Sequence, residues 1–160
     1  MNANIFNLLG VVILSGAIGC GIFIEICCLQ EPCFLCFLQR AAMLMIAVGL
    51  YWNLMYGITI RHYAFSLLAA LLGLSFSLRH MALNVCNSVI DTTFLFLSYR
   101  IYTWAFLIFF SSLISLSVLL LFYKITPPVS KRVQNVMKSL LLTMGTFCLF
   151  SILYHKGFVF

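Results

Sequence analysis

The stretch Glu31-Pro32-Cys33-Phe34-Leu35-Cys36-Phe37-Leu38-Gln39-Arg40, continued by the apolar run to Gly57, decides the fold. Residues 34–57 exceed the roughly 20 mainly apolar residues that a helix needs to cross the hydrocarbon core of a bilayer. Arg40 is the only charge among them. The run lacks the period-two alternation of a membrane barrel strand, so it reads as a helix.

Four similar runs flank it. Residues 5–24 precede it and end at Glu25, residues 63–83 and 101–123 follow, and a shorter run covers 139–154. The connections are brief: 25–32, 58–62, 84–100, and 124–138 with its Thr126-Pro127-Pro128 breaker. The expected architecture is an all-α integral membrane protein, a four-transmembrane-helix bundle with a fifth C-terminal hydrophobic helix. It forms one membrane domain over 1–160, with a four-helix core at 1–123, a basic cytoplasmic loop at 124–138 and an extra helix at 139–155. Composition agrees, because 64% of the residues are hydrophobic and 8% charged, against roughly 45–50% and 25% in an average soluble domain. Nine basic and three acidic residues cannot clothe a water-soluble sphere of this size. No Lys or Arg precedes the first run, and it is longer than the apolar core of a secretory signal, so it is expected to stay as a helix.

The net charge of +6 does not point to nucleic acid, because the basic residues form no single patch. Arg61, Lys124, Lys131, Arg132 and Lys138 fall between hydrophobic segments, where the positive-inside bias places cytoplasmic loops. The N-terminus is then cytoplasmic, and Glu25, Glu31 and Asp91 fall on the outer side, which in a bacterium is the oxidising periplasm. The aromatic content of 16% excludes intrinsic disorder. Most of the seven cysteines sit in apolar runs, which excludes a disulfide-stapled secreted miniprotein.

The chemistry gathers at the outer start of the second helix. Pro32 suits the first helical position, which puts Cys33 near the helix N-terminus, where free amide groups and the helix dipole stabilise a thiolate. A Cys-X-X-Cys pair in such a place is a candidate redox centre. Cys33, Cys36 and Arg40 are spaced to share one helix face. An arginine at that depth is costly without a partner and is therefore a candidate functional residue, and its guanidinium suits a carbonyl-bearing electron acceptor. The pair by itself also fits a structural role or half of a metal site, and Arg40 by itself fits a snorkelling anchor. No second Cys-X-X-Cys or paired histidines complete a zinc site. Cys27 and Cys28 lie close enough in sequence to leave a soft-metal site, such as one for copper, as the alternative.

The string Pro32-Cys33-Phe34-Leu35-Cys36 with Gln39-Arg40 resembles the signature of the bacterial disulfide-bond formation protein B family, inner-membrane quinone reductases that reoxidise a periplasmic thioredoxin-like oxidase. Arg79 and Tyr102-Thr103-Trp104 are similar to family features, and the resemblance covers about residues 1–123. It implies a four-helix bundle with a quinone, ubiquinone or menaquinone, at its periplasmic edge. Cys33 and Cys36 would be the redox pair, Cys36 in adduct or charge-transfer contact with the quinone, and Arg40 the quinone-side cation. Electrons would pass from the reduced partner by thiol–disulfide exchange to this pair and on to the quinone pool.

The sequence departs from the family pattern in one place. The family's second outer loop holds a second cysteine pair that exchanges with the partner, whereas residues 84–100 contain only Cys86. Cys86 could pair with Cys27 or Cys28, act alone through a mixed disulfide, or leave the partner to attack Cys33 directly. Arg79 is either a second quinone-side cation or a headgroup anchor. Cys20 and Cys148 are expected to be inert packing residues. His80, Trp52, Trp104 and the tyrosines near segment ends are expected at the membrane interface.

Overall fold

The computed structural model describes residues 3–27, 34–86, 95–96, 99–122 and 127–156. Five helices carry the fold: α1 (Ala3–Cys27), α2 (Phe34–Tyr56), α3 (Ile60–Cys86), α4 (Ile101–Leu121) and α5 (Lys131–Lys156). Each contains a stretch long and apolar enough to cross a membrane, and the protein is a multi-pass helical bundle. A two-residue antiparallel pair, β1 (Leu95–Phe96) with β2 (Tyr99–Arg100), leads into α4, Leu95 lying opposite Arg100.

The central helix is α2, which meets all four others; α3 carries α4, and α5 lies against both α2 and α1. Periodicity explains the inward faces. On α1 the buried residues Val11, Leu14, Ile18, Ile22 and Glu25 recur at steps of three and four, which is one face of a helix. Large apolar side chains on the outer surface stay exposed, Ile13 at 62% and Phe23 at 66%, as hydrocarbon solvent permits.

The α2–α3 turn is held by polar groups. Gly57 follows the last residue of α2 with φ 90°, a left-handed conformation that glycine adopts without a Cβ penalty. Asn53 Oδ1 accepts from the Thr59 amide at 3.1 Å and lies 3.1 Å from His62 Nδ1. Deeper in the bundle the Tyr63 hydroxyl donates to Asn7 Oδ1 at 3.0 Å, which ties α3 to α1. Tyr63 and Tyr51 are therefore core residues, 1% and 8% exposed, and not the interface residues expected of them. Their positions near segment ends conceal that these ends are packed.

Small residues set the closest approaches. A Cβ on Gly49 would stand 2.1 Å from Ser66 Oγ and 3.1 Å from the His62 carbonyl oxygen, so only glycine lets α2 and α3 cross this closely. Gly49→Val is expected to destabilise the protein by about 1–3 kcal/mol through overpacking. The thermal unfolding midpoint in detergent measures it, and an unchanged midpoint would contradict the crossing. Between α3 and α4 the fully buried Phe109 ring occupies the space over Gly73 in the same manner.

The fifth helix begins earlier than the apolar run implies, at Lys131, so the basic stretch supplies its first two turns. Lys131, Arg132 and Lys138 are exposed, while Val133, Met137, Leu141, Met144 and Cys148 form a buried or partly buried stripe on the other side. Counting charge as loop hides this amphipathic start. Gln134 secures it, donating through Nε2 to the Val129 carbonyl at 2.7 Å and to the Leu54 and Met55 carbonyls at 3.5 and 3.4 Å. The latter two belong to the last turn of α2, whose carbonyls have no partner within the helix. The Val129 amide also donates to the Leu54 carbonyl at 3.0 Å, and Asn4 Nδ2 to the Pro127 carbonyl at 3.4 Å. Residues 4, 54, 127 and 131 thus share one end of the bundle with Arg61, and α5 rises from it beside α1.

Candidate functional site

The opposite end carries the thiols. Cys36 lies in the first turn of α2 and is half-buried. Phe34, at the helix start, is 73% exposed. Cys33 and Cys28 lie outside the described residues, as do Glu31 and Asp91.

One turn into α2, Arg40 meets a partner that the sequence did not single out. Its Nη2 donates to Glu25 Oε2 and the two form a salt bridge, their side chains only 13% and 7% exposed. Glu25 is not a loop residue at the end of a run, as its charge suggested. It lies within α1, one inward step past Ile22, and that spacing was the available signal. A Cβ on Gly21 would stand 3.9 Å from Arg40 Nε, so the guanidinium stem lies on the bare backbone one turn before Glu25.

The other Glu25 oxygen turns to α5. Ser151 Oγ donates to Glu25 Oε1 at 3.2 Å, across 126 positions of sequence. Cys148, one turn earlier, is buried and within electrostatic reach of both Arg40 and Glu25. Three helices therefore converge on one buried ion pair: α1 gives the carboxylate, α2 the guanidinium and α5 the hydroxyl. A charge pair in a low-dielectric interior persists only when geometry and further hydrogen bonds compensate its desolvation, and Ser151 supplies such a bond.

Gln39, the neighbour of Arg40, faces the other way. Its Nε2 donates to Ser77 Oγ at 3.2 Å, and both residues are buried. This bond sets Ser77 of α3 level with the start of α2. Arg79 follows two residues later, about 200° around the helix from Ser77, and is exposed. It stands apart from the Arg40–Glu25 pair, which lies on the α1 and α5 side of α2. Cys86 is the last residue of α3, so the helix takes in the first three residues, 84–86, of the expected outer connection. Of the two expected packing cysteines, Cys148 is buried and Cys20 is exposed on α1.

The donor chemistry at this end of the bundle suits a carbonyl-bearing electron acceptor. A guanidinium carries five N–H donors, more than one carboxylate takes up, and Arg40 stands one turn from Cys36 on α2. A carbonyl-bearing acceptor needs a fixed donor, and an arginine held by a carboxylate is a donor of that kind. Among the described residues, no group of three or more His, Cys, Asp or Glu side chains gathers in a way that could hold a metal ion.

Comparison with known families bears on the same residues. The family model described as "Disulfide bond formation protein DsbB" matches residues 3–93. The match takes in Glu25, Cys33, Cys36, Arg40, Arg79 and Cys86 and stops before α4, short of the 1–123 that the sequence motifs suggested. No curated protein and no solved structure matches the chain significantly. The matched stretch exceeds half of the 160 residues, and the chain belongs to the DsbB family of disulfide bond formation proteins.

Proposed function

We propose that this protein is a thiol:quinone oxidoreductase of a bacterial inner membrane, which reoxidises a periplasmic thioredoxin-like dithiol oxidase and delivers the electrons to the quinone pool. The observation that carries it is Cys36 one turn before a largely buried Arg40 within the family-matched segment. The basic end of the bundle, with Arg61, Lys131 and Arg132, faces the cytoplasm by the positive-inside bias. That leaves the thiol end in the periplasm, where disulfides persist.

In each cycle the Cys33–Cys36 disulfide accepts two electrons from the partner dithiol through a mixed disulfide, and the partner leaves oxidised. A bound quinone, ubiquinone or menaquinone, supplies the two-electron, two-proton sink that returns the pair to the disulfide. Cys36 would face a bound acceptor, and Arg40 would hold its carbonyl and stabilise negative charge there. Glu25 balances the Arg40 charge, so the site holds a cation without a net charge buried in the membrane. Arg79, exposed on the far side of α3, serves as a headgroup anchor rather than as a second quinone ligand.

Cys86, at the end of α3, receives the partner: its thiolate opens the Cys33–Cys36 disulfide to give Cys86–Cys33 and a free Cys36 thiolate, a partner thiolate attacks Cys86 and releases Cys33, and the second partner thiol closes the partner's own disulfide and releases Cys86. Cys86→Ser is expected to slow quinone reduction driven by the reduced partner by about tenfold or more while leaving reduction driven by dithiothreitol near wild type, since a small dithiol reaches Cys33 without a relay. Both rates are read from quinone absorbance with protein purified in detergent. Equal rates for the variant and the wild type with the protein partner would remove Cys86 from the path. Absence of quinone reduction by the wild type with either donor would overturn the function.

A further inference from the structure

We infer that α5, which lies outside the family-matched segment, is a working wall of the acceptor site: Ser151, acting through Glu25, positions the Arg40 guanidinium and thereby sets the affinity for a quinone carbonyl. The inference rests on the thiol:quinone function proposed above.

The geometry carries it. Glu25 is buried and its two oxygens point to different helices, Oε2 to Arg40 of α2 and Oε1 to Ser151 of α5. Helix α5 reaches this depth because it is anchored at the far end, where Gln134 and Val129 bind the last carbonyls of α2. Along its rise Met144 packs over Gly19 and Leu44 over Gly145, each 3.8–3.9 Å from where a Cβ would stand. These small residues on α1 and α5 leave room for large neighbours, and the register that results brings Ser151 level with Glu25. The guanidinium stem rests on Gly21, so the carboxylate is the group that chooses among its rotamers.

A positioned donor binds better than a mobile one, because less conformational freedom is lost when the acceptor arrives. Glu25 and Ser151 act through Arg40 and are positioning residues. Their variants should alter quinone affinity more than turnover at saturation.

The test is equilibrium binding of a short-chain benzoquinone to the purified full chain, followed by quenching of tryptophan fluorescence, beside KM and kcat for quinone. Glu25→Gln is expected to weaken Kd by about tenfold and Ser151→Ala by about threefold, in line with loss of hydrogen bonds to a charged group. The double variant should bind no worse than Glu25→Gln alone, since Ser151 acts through Glu25. Ser151→Thr keeps the hydroxyl and should restore binding. Ser111→Ala on α4, whose hydroxyl donates to the Ile108 carbonyl of its own helix at 3.0 Å, is the unchanged control. Wild-type Kd in Ser151→Ala and Glu25→Gln would overturn the inference and leave the enzyme standing. A wild type that binds quinone without reducing it would overturn the enzyme, with the same variants still deciding the inference. A wild type that neither binds nor reduces quinone would overturn both.

Discussion

Cys36→Ser is expected to lower quinone reduction by roughly a thousandfold or more, whether the electrons come from a protein dithiol or from dithiothreitol. Serine matches the shape of cysteine, and the position is half-buried in the first turn of α2, so the bundle keeps its fold. The hydroxyl, however, cannot enter a disulfide, and the two electrons then have no route from Cys33 to the acceptor. Cys33→Ser should match it for the same reason. Cys20→Ser, on the exposed side of α1, should leave the rate unchanged. Retained turnover in Cys36→Ser would remove the thiol pair from the reaction.

Arg40→Met should produce the largest loss of stability. It strands a buried carboxylate, and breaking one side of a buried ion pair typically costs about 3–5 kcal/mol. Arg40→Met combined with Glu25→Leu removes both charges and should recover most of that loss, because replacing such a pair by apolar residues of similar volume is often neutral. Quinone binding should not recover with it, since the donor is gone. The unfolding midpoint in detergent and the quinone Kd, measured on the single and double variants, separate the two roles. An Arg40→Met protein as stable as the wild type would contradict the ion pair as described.

The helices were legible in the sequence, and Cys36 and Arg40 were singled out there as candidates, for different reasons. Residues 34–57 announced α2 because a run that long and apolar has few alternatives, and its observed end at Tyr56 falls just before Gly57, which caps it. Cys36 and Arg40 stood out because their spacing puts them on one face. Glu25 did not stand out. In a chain whose helices are apolar all round, a charge reads as the end of a run, and the inward stripe from Val11 to Ile22 is hard to tell from its lipid-facing neighbours. Lys131 and Arg132 misled in the same way, since their exposed face conceals the buried face carrying Val133 and Met137. The role of Ser151 could not be read locally at all, because its partner is 126 residues away and only the packing of α5 against α1 brings them together.

Coupled stoichiometry tests the account most directly. Purified wild-type protein is mixed with a reduced thioredoxin-like oxidase and a quinone, and partner disulfide and quinol are measured together. One quinol formed per partner disulfide, abolished by Cys36→Ser, is the predicted result. Partner disulfide formed without quinol, or no reaction with a competent partner, would contradict a thiol:quinone oxidoreductase.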